Sequence, residues 1–206
     1  AMMAIVNRGV QTPNAYQQLQ QHLDVDDFID YMILLQFAGE ADWLAGDLST
    51  NWYASRHRNG GRFRFHTWDS EQNLGHDGSG RSMQIDKNFT VNLRAPNSPA
   101  KIYNQLQKNQ EFRRRFGDRV QKHLFGDGTL SPAKNLTRWA NVLDEVDEAI
   151  VAESARWGDQ HNSQPRTRDE TWQPEIDWIT NVFFSQRNAV LVSQYQRIGL
   201  YPNVES

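Results

Sequence analysis

The fold is decided by residues 24–38, which read DVDDFIDYMILLQFA. Asp24 stands where a helix N-cap would, and the acidic residues after it favour a first helical turn because that end of a helix carries partial positive charge. Leu23 and Phe28 have the spacing of a hydrophobic staple. From Phe28 to Phe37 the residues are apolar on nearly every side, which is typical of a helix buried all round. We therefore predict a central, buried helix.

A β-hairpin is predicted downstream of this helix. The polar stretch 39–47 breaks the helical pattern and indicates an irregular loop. Residues 52–57 and 62–68 follow as two strand-like runs on either side of Asn59-Gly60-Gly61, which is a strong turn signal. Aromatic and basic residues alternate along the second run, as expected for a strand with one buried face.

The second half of the chain is predicted to be helical. Ser-Pro pairs at 98–99 and 131–132 each offer an N-cap followed by proline at the first helical position. After the second pair, apolar residues recur on one helical face, namely Leu136, Trp139, Leu143, Val146 and Ile150. The predicted class is mainly α (α+β), a single lobe over residues 1–206 with one small hairpin. Its parts are a lead-in helix (1–22), a hairpin segment (23–75), a long loop (76–97) and a helical bundle (98–206).

Composition excludes several classes of function. The chain has 206 residues, of which 22 are Lys or Arg and 25 are Asp or Glu, so its formal charge is −3. This charge gives no overall attraction to nucleic acid, and we predict no nucleic-acid partner. No apolar run approaches the roughly 18 residues of a membrane-spanning helix, so no membrane insertion is expected. The absence of cysteine rules out disulfides, thiolate zinc sites and cysteine nucleophiles.

Polar residues with metal-binding chemistry occur in a particular order around the hairpin. Asp42 lies in the loop after the buried helix, Asn51 precedes the first strand and Asp69 follows the second. Protein kinases place a catalytic aspartate, a metal-binding asparagine and a metal-binding aspartate in the same order. Mg²⁺ prefers hard oxygen ligands, and Asp69, Asn51 and Glu71 supply them. The order alone is weak support, because Asp and Asn are common in loops.

Several longer motifs strengthen this interpretation. They are Ala41-Asp42-Trp43, Asn51-Trp52-Tyr53-Ala54, Phe65-His66-Thr67-Trp68-Asp69-Ser70-Glu71, Glu111-Phe112-Arg113-Arg114-Arg115-Phe116, Ala152-Glu153-Ser154-Ala155-Arg156-Trp157-Gly158-Asp159 and Gly199-Leu200-Tyr201-Pro202. In this order they resemble the CotH kinase family, named for a spore coat protein, over nearly the whole chain from about Asp24. Glu40 departs from the pattern, since relatives often have Asn there.

The resemblance implies the C-terminal lobe of an atypical protein kinase that uses ATP with Mg²⁺ or Mn²⁺ to phosphorylate a protein hydroxyl. Asp42 would be the catalytic residue, orienting or deprotonating the acceptor. Asn51 and Asp69 match metal positions, and Glu71 stands where many relatives have Asp. A bacterial protein, secreted or at the cell surface as part of a larger chain, is expected.

A nucleotide-binding N-terminal lobe is expected to be absent from these residues. No Gly-rich phosphate loop occurs before residue 28, and the first lysine is Lys87. The residues that would bind the nucleotide are therefore unassigned, and the isolated chain is expected to be inactive. The alternative is a noncatalytic kinase-like module with a structural or adhesive role in a large surface or spore-coat-like protein, where the acidic site binds Ca²⁺ or nothing. The phosphate acceptor and the oligomeric state stay open.

Overall fold

The computed structural model describes residues 1–41, 50–75, 84–91, 93, 98–160 and 164–203. Within these residues the chain is mainly α-helical and contains one antiparallel, two-stranded sheet. The predicted fold class is therefore confirmed. No helix in this described part is both long enough and apolar enough to cross a membrane.

Two short helices, α1 (Met2–Arg8) and α2 (Pro13–Gln20), form the N-terminal segment. Gly9 interrupts them with a φ of 96°, which glycine adopts without steric cost. Thr12 then caps α2, because its side chain accepts a hydrogen bond from the backbone N–H of Ala15. The prediction of one lead-in helix over residues 1–22 is wrong for this reason.

The central helix α3 (Val25–Ala38) is buried along most of its length, as its sequence predicts. Asp24 occupies the N-cap position but makes no capping hydrogen bond with its side chain. Its carboxylate instead pairs with Arg64 at 3.3 Å and Arg62 at 3.7 Å. Asp24 therefore links the start of α3 to the hairpin through ion pairs with Arg62 and Arg64.

Strands β1 (Trp52–Ser55) and β2 (Arg64–Thr67) form the hairpin, with Trp52 opposite Thr67 and Ser55 opposite Arg64. Both strands are shorter than predicted, and residues 56–63 connect them in place of a tight turn. Gly60 supplies a φ of 101° within this connection. The longer connection places Phe63 beside the start of α3 in a separate bridge to Leu23.

The hairpin packs on α3 through its inner face. Phe65 of β2 is buried, and its ring centre lies 5.2 Å from that of Phe28 and 5.7 Å from that of Trp52. The backbone N–H of Phe63 donates to the His22 carbonyl at 2.7 Å, and Asp24 N–H donates to the Phe63 carbonyl at 3.0 Å. The hairpin is thus fixed to the core by both its aromatic face and its backbone.

Helices α4 (Pro99–Leu106), α5 (Gln110–Leu124) and α6 (Pro132–Trp157) follow. Proline stands at the first turn of α4 and α6, as predicted. The predicted apolar stripe of α6 does face one side, but each of its residues, from Leu136 to Ile150, is only half-buried. This helix is therefore partly covered by the rest of the described chain.

The last helical region is continuous from residue 168 to 197. It contains α7 (Gln173–Trp178) and α8 (Phe184–Arg197), each preceded by a π-helical turn, Arg168–Trp172 and Ile179–Phe183. The region ends before Gly199, whose φ is 71°. Helix α8 crosses the core and contacts both α3 and α6.

A polar cluster joins α3 to α5. Asp30 accepts a hydrogen bond from Arg119 Nε at 2.6 Å, and its Oδ1 lies 2.8 Å from His123 Nε2. Burial acts to raise the pKa of Asp30, but the hydrogen bonds and charges of His123 and Arg119 outweigh it and hold that pKa below its ordinary value. The carboxylate form of Asp30 is therefore favoured by folding.

We expect Asp30→Asn to lower the free energy of unfolding at pH 7 by about 1–2 kcal/mol, because the variant loses the ionic hydrogen bonds to Arg119 and His123. The loss is modest because these side chains are partly exposed. Because folding lowers the pKa of Asp30, its stabilisation is full above the unfolded value of about 3.9 and disappears as pH falls through the folded value. Urea unfolding of both proteins at pH 7 and at the lowest pH where the wild type stays folded measures this. Asp118→Asn, at an exposed position of α5, is the control. A difference that persists at low pH would contradict the electrostatic origin.

Candidate metal site at the base of the hairpin

The hairpin brings two of the three predicted metal ligands together. Asn51 immediately precedes β1, and Asp69 follows β2 by two residues. Asn51 Nδ2 donates a hydrogen bond to the backbone carbonyl of Asp69 at 3.3 Å. The pairing of two antiparallel strands explains this proximity, since the residues before the first strand and after the second meet at the same end.

Both residues have unusual backbone conformations. Asn51 has a φ of 56° and Asp69 a φ of 53°, in the left-handed region. This region costs residues with a Cβ roughly 1–2 kcal/mol, although Asn and Asp tolerate it best. Such conformations persist where the surrounding structure imposes them, and they cluster at functional sites. The base of the hairpin is therefore a strong candidate site.

The stretch after Asp69 is held against the end of α3. Leu74 N–H donates to the Ala38 carbonyl at 2.6 Å, and Ala41 N–H donates to the Gln72 carbonyl at 2.9 Å. The predicted catalytic residue, Asp42, lies outside the described residues. Ala41, the residue that precedes it, is thus bonded to the same stretch of chain that leads away from Asp69.

Glu71 is exposed and lines a cleft of about 410 Å³. The lining residues are Glu71, Asn73, Leu74, Trp139, Glu175, Trp178 and Ile179. Neither Asn51 nor Asp69 is among them. The structure therefore joins Asn51 to Asp69 and places Glu71 at a cleft shared with α6 and α7.

The donor set suits some cations better than others. Among the residues that the structure describes, no group of three or more His, Asp or Glu side chains could hold a metal ion. One carboxylate with one amide oxygen fits Mg²⁺ or Mn²⁺, because Mg²⁺ keeps several waters and takes phosphate oxygens as further ligands. Ca²⁺ takes six to eight oxygens and suits such a sparse set less well.

Three buried polar residues in or against the C-terminal end of α3 carry no role in the sequence-based assignment. Glu40 and Gln36 are fully buried, and Arg187 is 1% exposed. Burial raises the pKa of Tyr31, and the nearby negative charge of Glu40 raises it further. The sequence does indicate that Gln36 is a buried polar residue, since it stands in an otherwise apolar stretch of α3. Arg187 has none, because α8 carries polar residues on several sides.

In the part of the chain that the structure describes, a mainly helical fold carries one hairpin with Asn51 and Asp69 at its base, in the chain order of the metal-binding residues of protein kinases. A family model described as CotH kinase protein matches residues 1–191. The chain belongs to the CotH kinase family. The match begins at residue 1, before the resemblance noted from about Asp24, so α1 and α2 fall within the family region. No curated protein matches this chain significantly.

Proposed function

We propose that this chain supplies the metal-binding and acceptor-orienting part of an enzyme that transfers phosphate from ATP to a protein hydroxyl. The observation that carries the proposal is the hydrogen-bonded pair of Asn51 and Asp69, both in left-handed backbone at the base of the hairpin. This pair matches the ligand types and chain order of kinase metal sites.

Each residue has a distinct role in this proposal. Asp69 and the side-chain oxygen of Asn51 would hold the cation, and Glu71 would be a further ligand. When bound, Mg²⁺ or Mn²⁺ neutralises charge on the β- and γ-phosphates of ATP. Asp42 accepts the proton of the acceptor hydroxyl while that oxygen bonds to the γ-phosphorus. The bond from the γ-phosphorus to the β–γ bridging oxygen breaks, and ADP leaves.

A noncatalytic role is the second candidate. It is compatible with the described residues, where no group of three or more His, Asp or Glu side chains could hold a metal ion. In that case the lobe acts as a structural or adhesive module of a larger bacterial surface protein. Mn²⁺ binding that depends on Asp69 is required by the kinase proposal, whereas the noncatalytic alternative takes Ca²⁺ or no cation at this site.

We expect the 206-residue chain to bind Mn²⁺ weakly, and Asp69→Asn to weaken this binding at least tenfold. Asparagine keeps the size of the side chain and its tolerance of left-handed backbone, so the variant removes charge with little other change. Water-proton relaxation or electron paramagnetic resonance titration with Mn²⁺ measures the Kd. Asp127→Asn is the matched control, because the Asp127 side chain is 90% exposed and lies near Lys134.

The outcomes separate the candidates clearly. No Mn²⁺ binding by the wild type would favour the noncatalytic module. Binding unchanged by Asp69→Asn would place the cation elsewhere and contradict the proposed site. ATP should bind more weakly than Mn²⁺, without measurable phosphoryl transfer, because no Gly-rich loop precedes residue 28 and no lysine precedes Lys87 to hold the phosphates in the kinase manner. Micromolar MgATP affinity in a calorimetric titration would contradict this account.

A further inference from the structure

Arg187 in α8 is buried in the core and hydrogen bonds only to backbone carbonyls among the residues described. Its Nε donates to the Phe37 carbonyl at 2.9 Å, and its Nη2 donates to the Gln36 carbonyl. Its Nη1 donates to the carbonyls of Ile85 at 2.7 Å and Lys87 at 3.1 Å. One guanidinium therefore joins the end of α3 to the segment 84–91.

The hydrogen bonds from Arg187 to the Gln36 and Phe37 carbonyls satisfy backbone acceptors at the C-terminal end of α3. The last carbonyls of a helix have no partner within the helix, and that end carries partial negative charge. Gly39 ends α3 in left-handed backbone with a φ of 71°. A Cβ at this position would lie 3.9 Å from Arg187 Nη2, so the guanidinium lies directly against the chain that leaves the helix.

Two neighbouring glutamines reinforce the bonds to segment 84–91. Gln194, also in α8, donates from Nε2 to the Asp86 carbonyl at 2.9 Å. Gln36 donates from Nε2 to the Phe89 carbonyl at 3.0 Å and accepts a hydrogen bond from the Tyr195 hydroxyl at 2.8 Å. Segment 84–91 has no regular secondary structure, so side chains of α3 and α8 hold its backbone in place.

Both segments held by Arg187 contact the stretch that follows Asp69. Ala38 accepts the hydrogen bond from Leu74 N–H, one residue beyond the Phe37 carbonyl that Arg187 binds. Gln84 N–H donates to the Gly75 carbonyl at 3.1 Å, one residue before Ile85. Residues 72–75 are thus hydrogen bonded to two segments, the end of α3 and segment 84–91. The buried guanidinium of Arg187 binds both of these segments.

We propose that Arg187 is a positioning residue for the cation site: it fixes the end of α3 and segment 84–91, and through them residues 72–75, which follow Asp69 closely in the chain. This inference rests on the proposed function. Burial lowers the pKa of Arg187 to about 10, so the side chain is still positively charged at neutral pH. A buried charge is costly unless it is hydrogen-bonded, and its cost is offset here by bonds to four backbone carbonyls on two segments.

The test uses Arg187→Lys, which keeps the charge but replaces a planar fork with a single ammonium that cannot reach both segments in the same way. We expect the variant to bind Mn²⁺ at least tenfold more weakly than the wild type, at a temperature where circular dichroism shows both folded. We also expect hydrogen exchange at the amides of Ala41 and Leu74 to be at least tenfold faster. The exchange measurement does not depend on metal binding.

The control is Val120→Ala, a fully buried position of α5. It is compared at equal stability, by choice of temperature, and should change the Mn²⁺ Kd less than twofold. If Arg187→Lys and Val120→Ala lose Mn²⁺ binding equally, the loss in Arg187→Lys comes from lower stability in general, and the proposal is overturned. Unchanged Kd and unchanged amide exchange in Arg187→Lys would also overturn it.

Two further outcomes are distinguishable. If the wild type binds no Mn²⁺, the proposed function fails, while the amide exchange still decides whether Arg187 orders residues 72–75. If Arg187→Lys does not fold, Gln194→Ala removes only the adjacent side-chain support of segment 84–91. That variant should then weaken Mn²⁺ binding about threefold, a factor that corresponds to roughly half of the 1.4 kcal/mol of a tenfold change. No change in Gln194→Ala would count against positioning by this cluster.

Discussion

Replacing Phe116 with alanine is expected to lower the free energy of unfolding by about 3–5 kcal/mol. Phe116 lies in α5 and is 0% exposed. Its ring centre lies 5.0 Å from that of Tyr195, 5.8 Å from that of Phe112 and 6.1 Å from that of Tyr103. These residues belong to α4, α5 and α8, so the ring occupies the point where three helices meet.

The size of the effect follows from the difficulty of closing the cavity. Large aromatic neighbours on three helices cannot all move inward to fill the space of a lost ring, so both burial and packing are lost. Urea unfolding followed by circular dichroism measures the change. Phe125→Ala is the control, because Phe125 is 38% exposed and stacks on Tyr201 near the surface. Similar losses at both positions would contradict the assignment of Phe116 to the centre of the core.

Gly75→Ala is expected to lower the free energy of unfolding by about 2–4 kcal/mol, from backbone strain and overpacking together. Gly75 has a φ of 88° and is buried. A Cβ at this position would lie 2.6 Å and 2.8 Å from two ring carbons of Trp178. The Trp178 ring must therefore move, and it lines the same cleft as Glu71.

The chain offers a matched control for this substitution. Gly60 has a φ of 101°, but a Cβ there would have no atom within 4 Å. Gly60→Ala should therefore show only the backbone strain, about 1 kcal/mol. The difference between the two variants isolates the clash with Trp178. A Trp178→Ala background should remove most of that difference in a double-mutant cycle, and full additivity would contradict the proposed contact.

Much of the local structure was predictable because short-range chemistry determines it. The acidic N-terminal turn and continuous apolar run of α3 predicted its start, its type and its burial. The Ser-Pro pairs at 98–99 and 131–132 likewise predicted where α4 and α6 begin. The interruption at Gly9 was not predicted, since a lone glycine in a polar segment is compatible with either a continuous or a broken helix.

The candidate site was predictable in part. Asn51 and Asp69 flank a hairpin, and strand pairing alone requires residues in those positions to be close. The metal-binding roles of Asn51 and Asp69 stay a prediction, and Asp42 lies outside the described residues. The orientation of Glu71 was not predictable, because the cleft that it lines is formed by Trp139 and Trp178, which are distant in the chain.

The helical class, the hairpin and the residues at its base follow from local sequence, because each depends on neighbours within a few positions. The contacts of Arg187, by contrast, depend on how distant helices pack. Nothing in its local sequence distinguishes it from an exposed helical arginine. Its partners are carbonyls of residues 36, 37, 85 and 87, about 100 to 150 positions away. Every residue has a carbonyl, so such bonds leave no pattern of residue types, and the packing of α8 against α3 alone selects them.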